Sequence, residues 1–536
     1  MRRLIVCCDG TWNTQDQEHD GIPVPTNVVR MFHSAQDWQR DRVKQLKYYH
    51  PGVGTEGGKL KQMLGGGLGL GLNQNIQSAY YWLARNYRPG DQIFMFGFSR
   101  GAYTVRSLGG MICTQGLLNL AGVPADKRWK RVKTLFKEGY RKRRPLTDWG
   151  GAWSFHSGDP EVGQVGGDQS EGCNGVGIHF LGVWDTVGAV GIPDDAALLN
   201  LLDDEAGGFH DTKLSDAVVH ARHALALDEE RASFSPTLWT DVDGRDSVKQ
   251  LWFPGAHSDV GGGYVQKGLS DCALKWMMDE AAEQGLQLDP KMVAQVTPNY
   301  QDVAHDSATG IFAHLPTQPR NIPNFPSTVA AVGAEADEQE IEAPSPLLHE
   351  SAVERHQDPP ISQAIYHPTI KLAVGEKTKV DVYAIEPWNR TGIYLEKGAH
   401  YKLSARGQWM DKNIKSLPDG TTEDGLHFGE MVRSVGTALG MMENLFKKAT
   451  GNEDADFKGT RREEGMPWFS LVGAVANAGN PEEDGTPGRH QIFEIGNGRE
   501  DFGPTESGYL YAFANDAWNF YSNNRGSVRL IVERTS

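Results

Sequence analysis

Short apolar runs alternate with helically spaced apolar positions from residue 1 to about residue 300. The runs are nearly continuous in apolar residues, which is typical of strands buried on both faces of a parallel sheet. They are Leu4–Cys8, Gln92–Phe96, Ile178–Trp184 and Gln250–Phe253. Helical spacing covers Asn75–Asn86 and Ala102–Cys113, on either side of the second run. Strands that alternate with helices predict βαβ units and therefore an α/β fold.

The pattern changes in the second half of the chain. Residues 318–362 are rich in Pro, Glu and Asp and predict a linker. Later runs, separated by turns with Gly and Asn, predict a β-sandwich or jelly roll; they are Lys379–Ala384, His400–Ala405, Gly508–Ala514 and Ser527–Glu533. Phe428–Lys448 has helical spacing instead and falls within residues 412–505, which we interpret as an insertion. The predicted domains are residues 1–317 and 363–536.

Composition narrows the classes of function. A length of 536 residues favours two or three domains, and a net charge of −16 argues against nucleic-acid binding because phosphates would be repelled. Five cysteines do not predict a disulfide framework in so long a chain, which suits folding in a reducing cytosol. The run Leu4–Cys8 is too short for the core of a signal peptide, and no stretch approaches the roughly 18 apolar residues of a membrane span. We expect a cytoplasmic chain without a signal peptide.

The sequence Gly97-Phe98-Ser99-Arg100-Gly101 matches the nucleophile elbow of serine hydrolases. In that motif the serine occupies a strained turn between a strand and a helix, where larger neighbours than glycine would clash. The pattern alone is weak because glycine is frequent in this chain, at 63 of 536 residues. Its context strengthens it, since an apolar strand ends directly before Gly97 and helical spacing begins directly after Gly101. We therefore predict that Ser99 is a nucleophile.

A serine nucleophile needs a base, and the base needs an acid that orients it. In α/β-hydrolases these residues follow in the order Ser, Asp or Glu, His. Asp185 and His257 each follow an apolar strand, and the carboxyl ends of strands hold the functional groups of open α/β sheets. Each has an ordinary alternative, a helix N-cap for Asp185 and a loop histidine for His257. Asp259 and Asp228 are the alternative acids.

Acyl transfer also needs two donors for the oxyanion. One predicted donor is the backbone amide of Arg100, the residue after the nucleophile, and the other comes from Gly10 or Thr11 after the first strand. An ordinary βα turn at residues 9–11 is the alternative interpretation. No HExxH or paired CxxC motif occurs, so the sequence predicts no cofactor for catalysis.

Five longer motifs contain or surround these residues: DGTWN (9–13), TNVVRMF (26–32), GFSRGAYTVRSLGGMI (97–112), VWDTVG (183–188) and WFPGAHSDVGGGY (252–264). Together they resemble the type VI secretion lipase effectors with a GFSRG elbow, also catalogued as an uncharacterised α/β-hydrolase domain. The resemblance covers most of residues 1–280. It implies an α/β-hydrolase fold, phospholipase activity of the A1 or A2 kind, and a triad of Ser99, Asp185 and His257.

Two segments near the C-terminus, residues 388–409 and 510–528, are similar to the small calcium-dependent galactose-binding lectins. That resemblance implies Ca²⁺ bound only by oxygen atoms, as a hard cation prefers. The implied ligands are the side chains of Asp516, Asn523 and Asn524 and the carbonyls of Phe520 and Asp411. The insertion interrupts the lectin pattern, so a jelly roll that serves only as a scaffold, without calcium or carbohydrate, is the alternative.

A basic segment, Lys127–Arg144, lies within residues 117–176, which we predict to form a lid or insertion of the hydrolase domain. Aromatic and aliphatic residues interleave with its cations, as in helices that lie on membrane surfaces; they are Trp129, Leu135, Phe136 and Tyr140. A solvated helix whose aromatics pack on the core is the alternative.

The residues and the resemblances together predict a serine esterase that hydrolyses phospholipid acyl esters and acts as a type VI secretion antibacterial effector. By resemblance, it would be secreted into the periplasm of a target cell. The expected partners are the phospholipid membrane surface of that cell, a secretion spike protein, an immunity protein and a carbohydrate. The alternatives are a soluble carboxylesterase or thioesterase, and a carbohydrate-binding module whose hydrolase domain is inert.

Overall fold

The fold is described from a computed structural model of the chain. It covers residues 1–10, 13–37, 43–52, 68–150, 153–158, 175–188, 212–314, 316–328, 342–420, 462–482, 486–518 and 520–536. These residues form two compact units. Unit 1 comprises residues 1–229, 233–306 and 480–487, and unit 2 comprises residues 230–232, 307–479 and 488–536. The predicted division of the chain into residues 1–317 and 363–536 stays a prediction.

Unit 1 is built on a parallel sheet of six strands, in the order β4-β1-β5-β6-β7-β8. Two further strands, β2 and β3, form a small separate hairpin. The strands are β1 (Arg3–Cys8), β2 (Glu18–His19), β3 (Ile22–Pro23), β4 (Gln45–His50), β5 (Gln92–Phe98), β6 (Ile178–Trp184), β7 (Val218–Ala226) and β8 (Val248–Phe253). The mostly parallel α/β architecture predicted from the apolar runs is therefore confirmed.

Helices cover both faces of this sheet. They are α1 (Asn27–Ser34), α2 (Leu68–Asn86), α3 (Arg100–Gln115), α4 (Ala125–Thr134), α5 (His257–Gly261), α6 (Gly268–Glu283) and α7 (Pro290–Val293). Alternate residues of β1 enter different cores: Leu4 packs with α2, α3 and α4, whereas Ile5 packs with α1 and α6. Both are fully buried. Burial on both faces is why the central strands are nearly continuous in apolar residues.

Unit 2 contains two antiparallel sheets, with the orders β10-β16-β13-β14 and β12-β11-β17-β9, and β15 pairs with β11. Both sheets contribute to one apolar core. The elements are α8 (Glu350–Gln357), β9 (Lys377–Tyr383), β10 (Asn389–Leu395), β11 (Tyr401–Asp411), β12 (Ile414–Ser416), β13 (Leu471–Ala476), β14 (Gln491–Glu494), β15 (Gly498–Phe502), β16 (Gly508–Ala514) and β17 (Asn524–Arg534). The C-terminal part is therefore rich in β-structure, as predicted.

Two segments that the sequence set apart contribute to unit 2. The predicted insertion at 412–505 supplies β13, which lies between β16 and β14 at the centre of a sheet. The predicted helix Phe428–Lys448 lies outside the described residues. Within the predicted linker, Phe325 is fully buried, and its N–H donates to the hydroxyl of Tyr509 at 2.9 Å. At Phe325, therefore, this Pro-rich segment is packed, although its backbone forms neither helix nor strand there.

The basic segment Lys127–Arg144 packs its apolar side chains into unit 1. Leu135 and Phe136 are buried in the core, and Trp129 meets the Tyr81 ring edge-on at 5.6 Å. Lys130 and Arg143 remain exposed. Membrane binding by this segment would thus depend on its exposed cations. Among the residues described, no helix is both long and apolar enough to cross a membrane.

The approach of α3 to β1 leads to a first prediction. A Cβ on Gly101 would lie 2.1 Å from the Cys8 carbonyl oxygen and 2.5 Å from that of Asp9, and these backbone atoms cannot move aside. We expect Gly101→Ala to lower the free energy of unfolding by about 1–3 kcal/mol or more. Gly109→Ala in the same helix is the control, because its Cβ would meet only Ile178 Cγ1, at 4.0 Å. Thermal melting measures both, and equal midpoints would contradict the prediction.

Candidate active site

Ser99 occupies the turn between the end of β5 and the start of α3. Its φ of 56° and ψ of −125° form a conformation that residues with a side chain rarely adopt, and such strain costs on the order of 1–3 kcal/mol. The backbone holds it there, because the Ser99 N–H donates to the Trp184 carbonyl at 3.1 Å and the Tyr103 N–H donates to the Ser99 carbonyl at 3.2 Å. The predicted strand–turn–helix setting is therefore confirmed.

The glycines of the motif are required by close backbone contacts. A Cβ on Gly97 would lie 2.5 Å from the Gly101 carbonyl oxygen, and a Cβ on Gly101 would collide with the end of β1. A nearby third glycine, Gly261 in α5, faces the Phe98 ring, where a Cβ would approach a ring atom to 1.9 Å. These contacts leave room only for hydrogen beside the strained serine.

The structure brings Asp185 and His257 together. Asp185 follows β6 and His257 begins α5, and the His257 Nδ1–H donates to Asp185 Oδ2 at 2.6 Å. The other carboxylate oxygen, Oδ1, accepts the Ala226 N–H at 3.0 Å. Asp185 is fully buried and His257 is 4% exposed. With Nδ1 protonated toward the carboxylate, Nε2 is the ring nitrogen that can accept a proton.

Two aromatic rings hold the His257 imidazole. Phe98, which directly precedes Ser99, lies 4.6 Å from it between ring centroids, and Phe234 packs edge-on at 5.0 Å. The backbone N–H of His257 donates to Glu229 Oε2 at 3.3 Å. No pattern in the sequence indicated Phe234 or Glu229 as residues of the site. Both follow β7, a strand that polar residues interrupt and that the apolar pattern did not predict.

The two alternative acids, Asp259 and Asp228, hydrogen-bond to the loop that carries His257. Asp259 Oδ1 accepts the Nδ1–H of His305 at 2.6 Å, and its Oδ2 accepts the Ala256 N–H at 3.0 Å. Asp228 Oδ2 accepts the Gly255 N–H at 2.8 Å. Both carboxylates therefore fix the loop that carries His257. Asp185 hydrogen-bonds directly to the His257 ring.

The loop after β1 lies beside Ser99. A Cβ on Gly10 would be 3.2 Å from Ser99 Cβ, so this loop borders Ser99, and its role as an oxyanion donor stays a prediction. The Gly10 N–H, however, donates to Asp9 Oδ1 at 2.8 Å and so points at a carboxylate. Thr11 lies outside the described residues. Arg100 is the first residue of α3, where backbone N–H groups have no acceptor within the helix.

Burial shifts the titration of two charged groups beside the nucleophile. It raises the pKa of Asp9 to about 6, although three hydrogen bonds oppose this shift. They come from the hydroxyls of Thr26 and Tyr49, at 2.8 and 2.9 Å, and from the Gly10 N–H. Burial also lowers the pKa of Arg100 to about 10. At neutral pH Asp9 is mainly a carboxylate and Arg100 is a cation.

The residues implied as calcium ligands lie together in unit 2. Asn524 Nδ2 donates to Asp516 Oδ2 at 2.8 Å, and Asn524 pairs with Asp411 across β17 and β11. The Oδ1 atoms of Asn523 and Asn524 are buried and, within the described part of the chain, lack a hydrogen-bond donor. The Phe520 carbonyl accepts the Asn523 N–H at 3.2 Å. Acceptor oxygens without donors fit a hard cation.

The environment of the Asp516 carboxylate is also consistent with a bound cation. Burial raises the pKa of Asp516 to about 7, and the nearby Asp411 carboxylate adds to the rise. A bound cation would relieve both effects. Over the described ranges, no group of three or more His, Cys, Asp and Glu side chains is placed to hold a metal ion. A cation at Asp516 would accordingly depend on amide and carbonyl oxygens.

Residues 2–280 match the family described as "T6SS, Phospholipase effector Tle1-like, catalytic domain". "Uncharacterized protein YEL023C" of Saccharomyces cerevisiae is 30% identical over 260 residues, which are 45% of this chain and 33% of that protein. The chain therefore spans about a third of the length of this curated relative.

Two solved structures are similar to parts of the chain. The Tle1 effector bound to the VgrG spike of the type 6 secretion system is 18% identical, with a TM-score of 0.28, over 49% of this chain and 51% of that one. The EclA N-terminal domain, a PllA-like lectin, is 17% identical, with a TM-score of 0.18, over 29% of this chain and 94% of that one. The match over residues 2–280 shows that the chain belongs to the family of Tle1-like phospholipase effectors of the type VI secretion system, through their catalytic domain.

Proposed function

We propose that this chain is a serine esterase of the α/β-hydrolase fold that hydrolyses the acyl esters of phospholipids, with A1 or A2 specificity. One observation carries the proposal: a serine in a strained elbow lies at the same sheet edge as a buried Asp185–His257 pair. Phe98 links the two, because it precedes Ser99 and packs on the His257 ring. Family membership supplies the phospholipid class of substrate.

The mechanism is acyl transfer in two halves. Ser99 Oγ attacks the ester carbonyl while His257 Nε2 accepts the hydroxyl proton, and the Asp185 carboxylate stabilises the imidazolium that forms. The tetrahedral intermediate collapses, and His257 returns the proton to the departing alkoxide, which leaves as a lysophospholipid. Water then attacks the acyl-enzyme, again with His257 as base, and releases a fatty acid and free Ser99.

Delivery and partners are part of the same proposal. The related Tle1 effector is bound to the VgrG spike, and we extend that association to this chain as its route of secretion. The membrane surface of the target cell would then supply the substrate in the periplasm, and an immunity protein would protect the producing cell. In unit 2 we propose a β-sandwich that binds Ca²⁺ through Asp516, Asn523 and Asn524, with carbohydrate as its ligand class.

The first test compares phospholipid hydrolysis by the wild type and Ser99→Ala. The wild type should release fatty acid and lysophospholipid from mixed phospholipid vesicles, and mass spectrometry of the products assigns the A1 or A2 position. Ser99→Ala should remove this release almost completely and still fold, because a methyl group fits where Cβ already lies. Turnover retained in the folded variant would end the nucleophile assignment.

Asp185→Asn tests the acid of the triad. The substitution keeps the shape but loses the charge that orients His257, so kcat should fall by roughly 10⁴, as in serine proteases. Asp279→Asn is the matched control, because Asp279 lies on α6 and pairs with the exposed Lys275. Steady-state kinetics on a soluble ester measures both. A loss below about tenfold for Asp185→Asn would place the acid elsewhere.

Calcium binding is tested by thermal melting. A ligand that binds only the folded state stabilises it by about 2.7 kcal/mol at 100 times its Kd, so calcium should raise the melting temperature of the wild type. Asp516→Ala combined with Asn523→Ala should abolish that rise, whereas Asp501→Ala, an exposed acid on β15, should retain it. Identical wild-type curves with calcium and with a chelator would remove the metal site from the proposal.

A further inference from the structure

A carboxamide side chain lies beside Ser99 at the carboxyl edge of the sheet. Asn13 Nδ2 is 2.7 Å, and Ser99 Cβ 3.2 Å, from the point that a Cβ on Gly10 would occupy. The two side chains therefore flank the space that Gly10 leaves open. We propose that the Asn13 side-chain amide donates a hydrogen bond to the oxyanion that forms when Ser99 attacks an ester. This inference rests on the proposed acyl transfer at Ser99.

The Gly10 amide of this loop is already engaged by a carboxylate. The Gly10 N–H donates to Asp9 Oδ1, and Asp9 also accepts the hydroxyls of Thr26 and Tyr49. Hydrogen bonds to an ionised acceptor are roughly twice as strong as neutral ones. Removing the Gly10 hydrogen from a buried carboxylate would cost free energy during every turnover. Asp9 thus fixes the shape of the loop, and the oxyanion takes its donor from elsewhere.

The backbone of Asn13 is anchored on both sides. Its N–H donates to the Gly10 carbonyl at 3.1 Å, and its own carbonyl accepts the Gly52 N–H at 3.1 Å. These bonds hold the Asn13 Cα against the loop that borders Ser99. A donor held in place before the reaction stabilises a developing oxyanion without a cost of reorganisation. A fixed backbone is the support that such a side chain needs.

Asn13 completes a pair of donors from two elements. The Arg100 backbone amide belongs to the first residue of α3, directly after Ser99, and the Asn13 carboxamide comes from the loop after β1. Asparagine side chains serve as oxyanion donors in other acyl-transfer enzymes, where their loss lowers kcat by about 10² to 10³. A residue larger than glycine would crowd position 10, because its Cβ would lie 2.7 Å from Asn13 Nδ2.

The test uses Asn13→Leu and Asn13→Asp in the full chain. Both side chains resemble asparagine in shape, but leucine has no donor and aspartate presents a negative charge to the oxyanion. On a 4-nitrophenyl ester we expect kcat to fall by about 10² or more for both variants, with little change in KM. Asn86→Leu is the control, because Asn86 ends α2 and its amide donates to the Trp82 carbonyl.

A second readout separates an oxyanion donor from a structural residue. An alkyl trifluoromethyl ketone forms a hemiketal oxyanion with an active serine, so its affinity should fall in parallel with kcat in the Asn13 variants. Melting temperatures should stay near that of the wild type. A folded Asn13 variant with kcat within threefold of the wild type, or with unchanged ketone affinity, would overturn the assignment. If Ser99→Ala also hydrolyses the ester, or the wild type does not bind the ketone, the proposed function itself fails.

Discussion

The close contact between the first turn of α3 and the end of β1 sets the position of Ser99 in the candidate active site. Gly101 lies against the carbonyls of Cys8 and Asp9 at distances that admit no side chain. This contact places the strained Ser99 at the sheet edge and sets the loop after β1 beside it. The proposed nucleophile and oxyanion donors thus depend on the absence of a side chain at Gly101.

Four carboxylates organise the rest of that edge; Asp9, Asp185 and Asp259 are buried, and Asp228 is half-buried. Asp9 binds the loop after β1, Asp228 and Asp259 bind the turn before His257, and Asp185 binds the His257 ring. A buried carboxylate is costly unless it accepts hydrogen bonds, and each of the three buried ones accepts at least one. The proposed chemistry uses Asp185 because its partner is a ring that can transfer a proton.

Local patterns predicted the parts of the site that depend on local structure. The elbow was predictable because a strand, a glycine-flanked serine and a helix follow one another directly, and the Asp185–His257 pairing followed from two residues at strand ends. Contacts between distant segments were not predictable. Glu229 and Phe234 follow β7, whose Arg222 and His223 break the apolar run, and no local pattern indicates that the hydroxyls of Thr26 and Tyr49 donate to Asp9. The proposed role of Asn13 likewise depends on the adjacency of β1 and β5.

The same limit applies to unit 2. Turn-bounded apolar runs predicted its β-rich character, but they did not predict β13, which lies in the region interpreted as an insertion and pairs with β14 and β16.

Covalent labelling with a fluorophosphonate, which reacts only with an activated serine, tests most directly whether His257 and Asp185 activate Ser99. The labelled wild type should carry one adduct, and peptide mapping should place it on Ser99, with no adduct on Ser99→Ala. An unlabelled wild type, or an adduct on another serine, would contradict the account in which His257 and Asp185 activate Ser99.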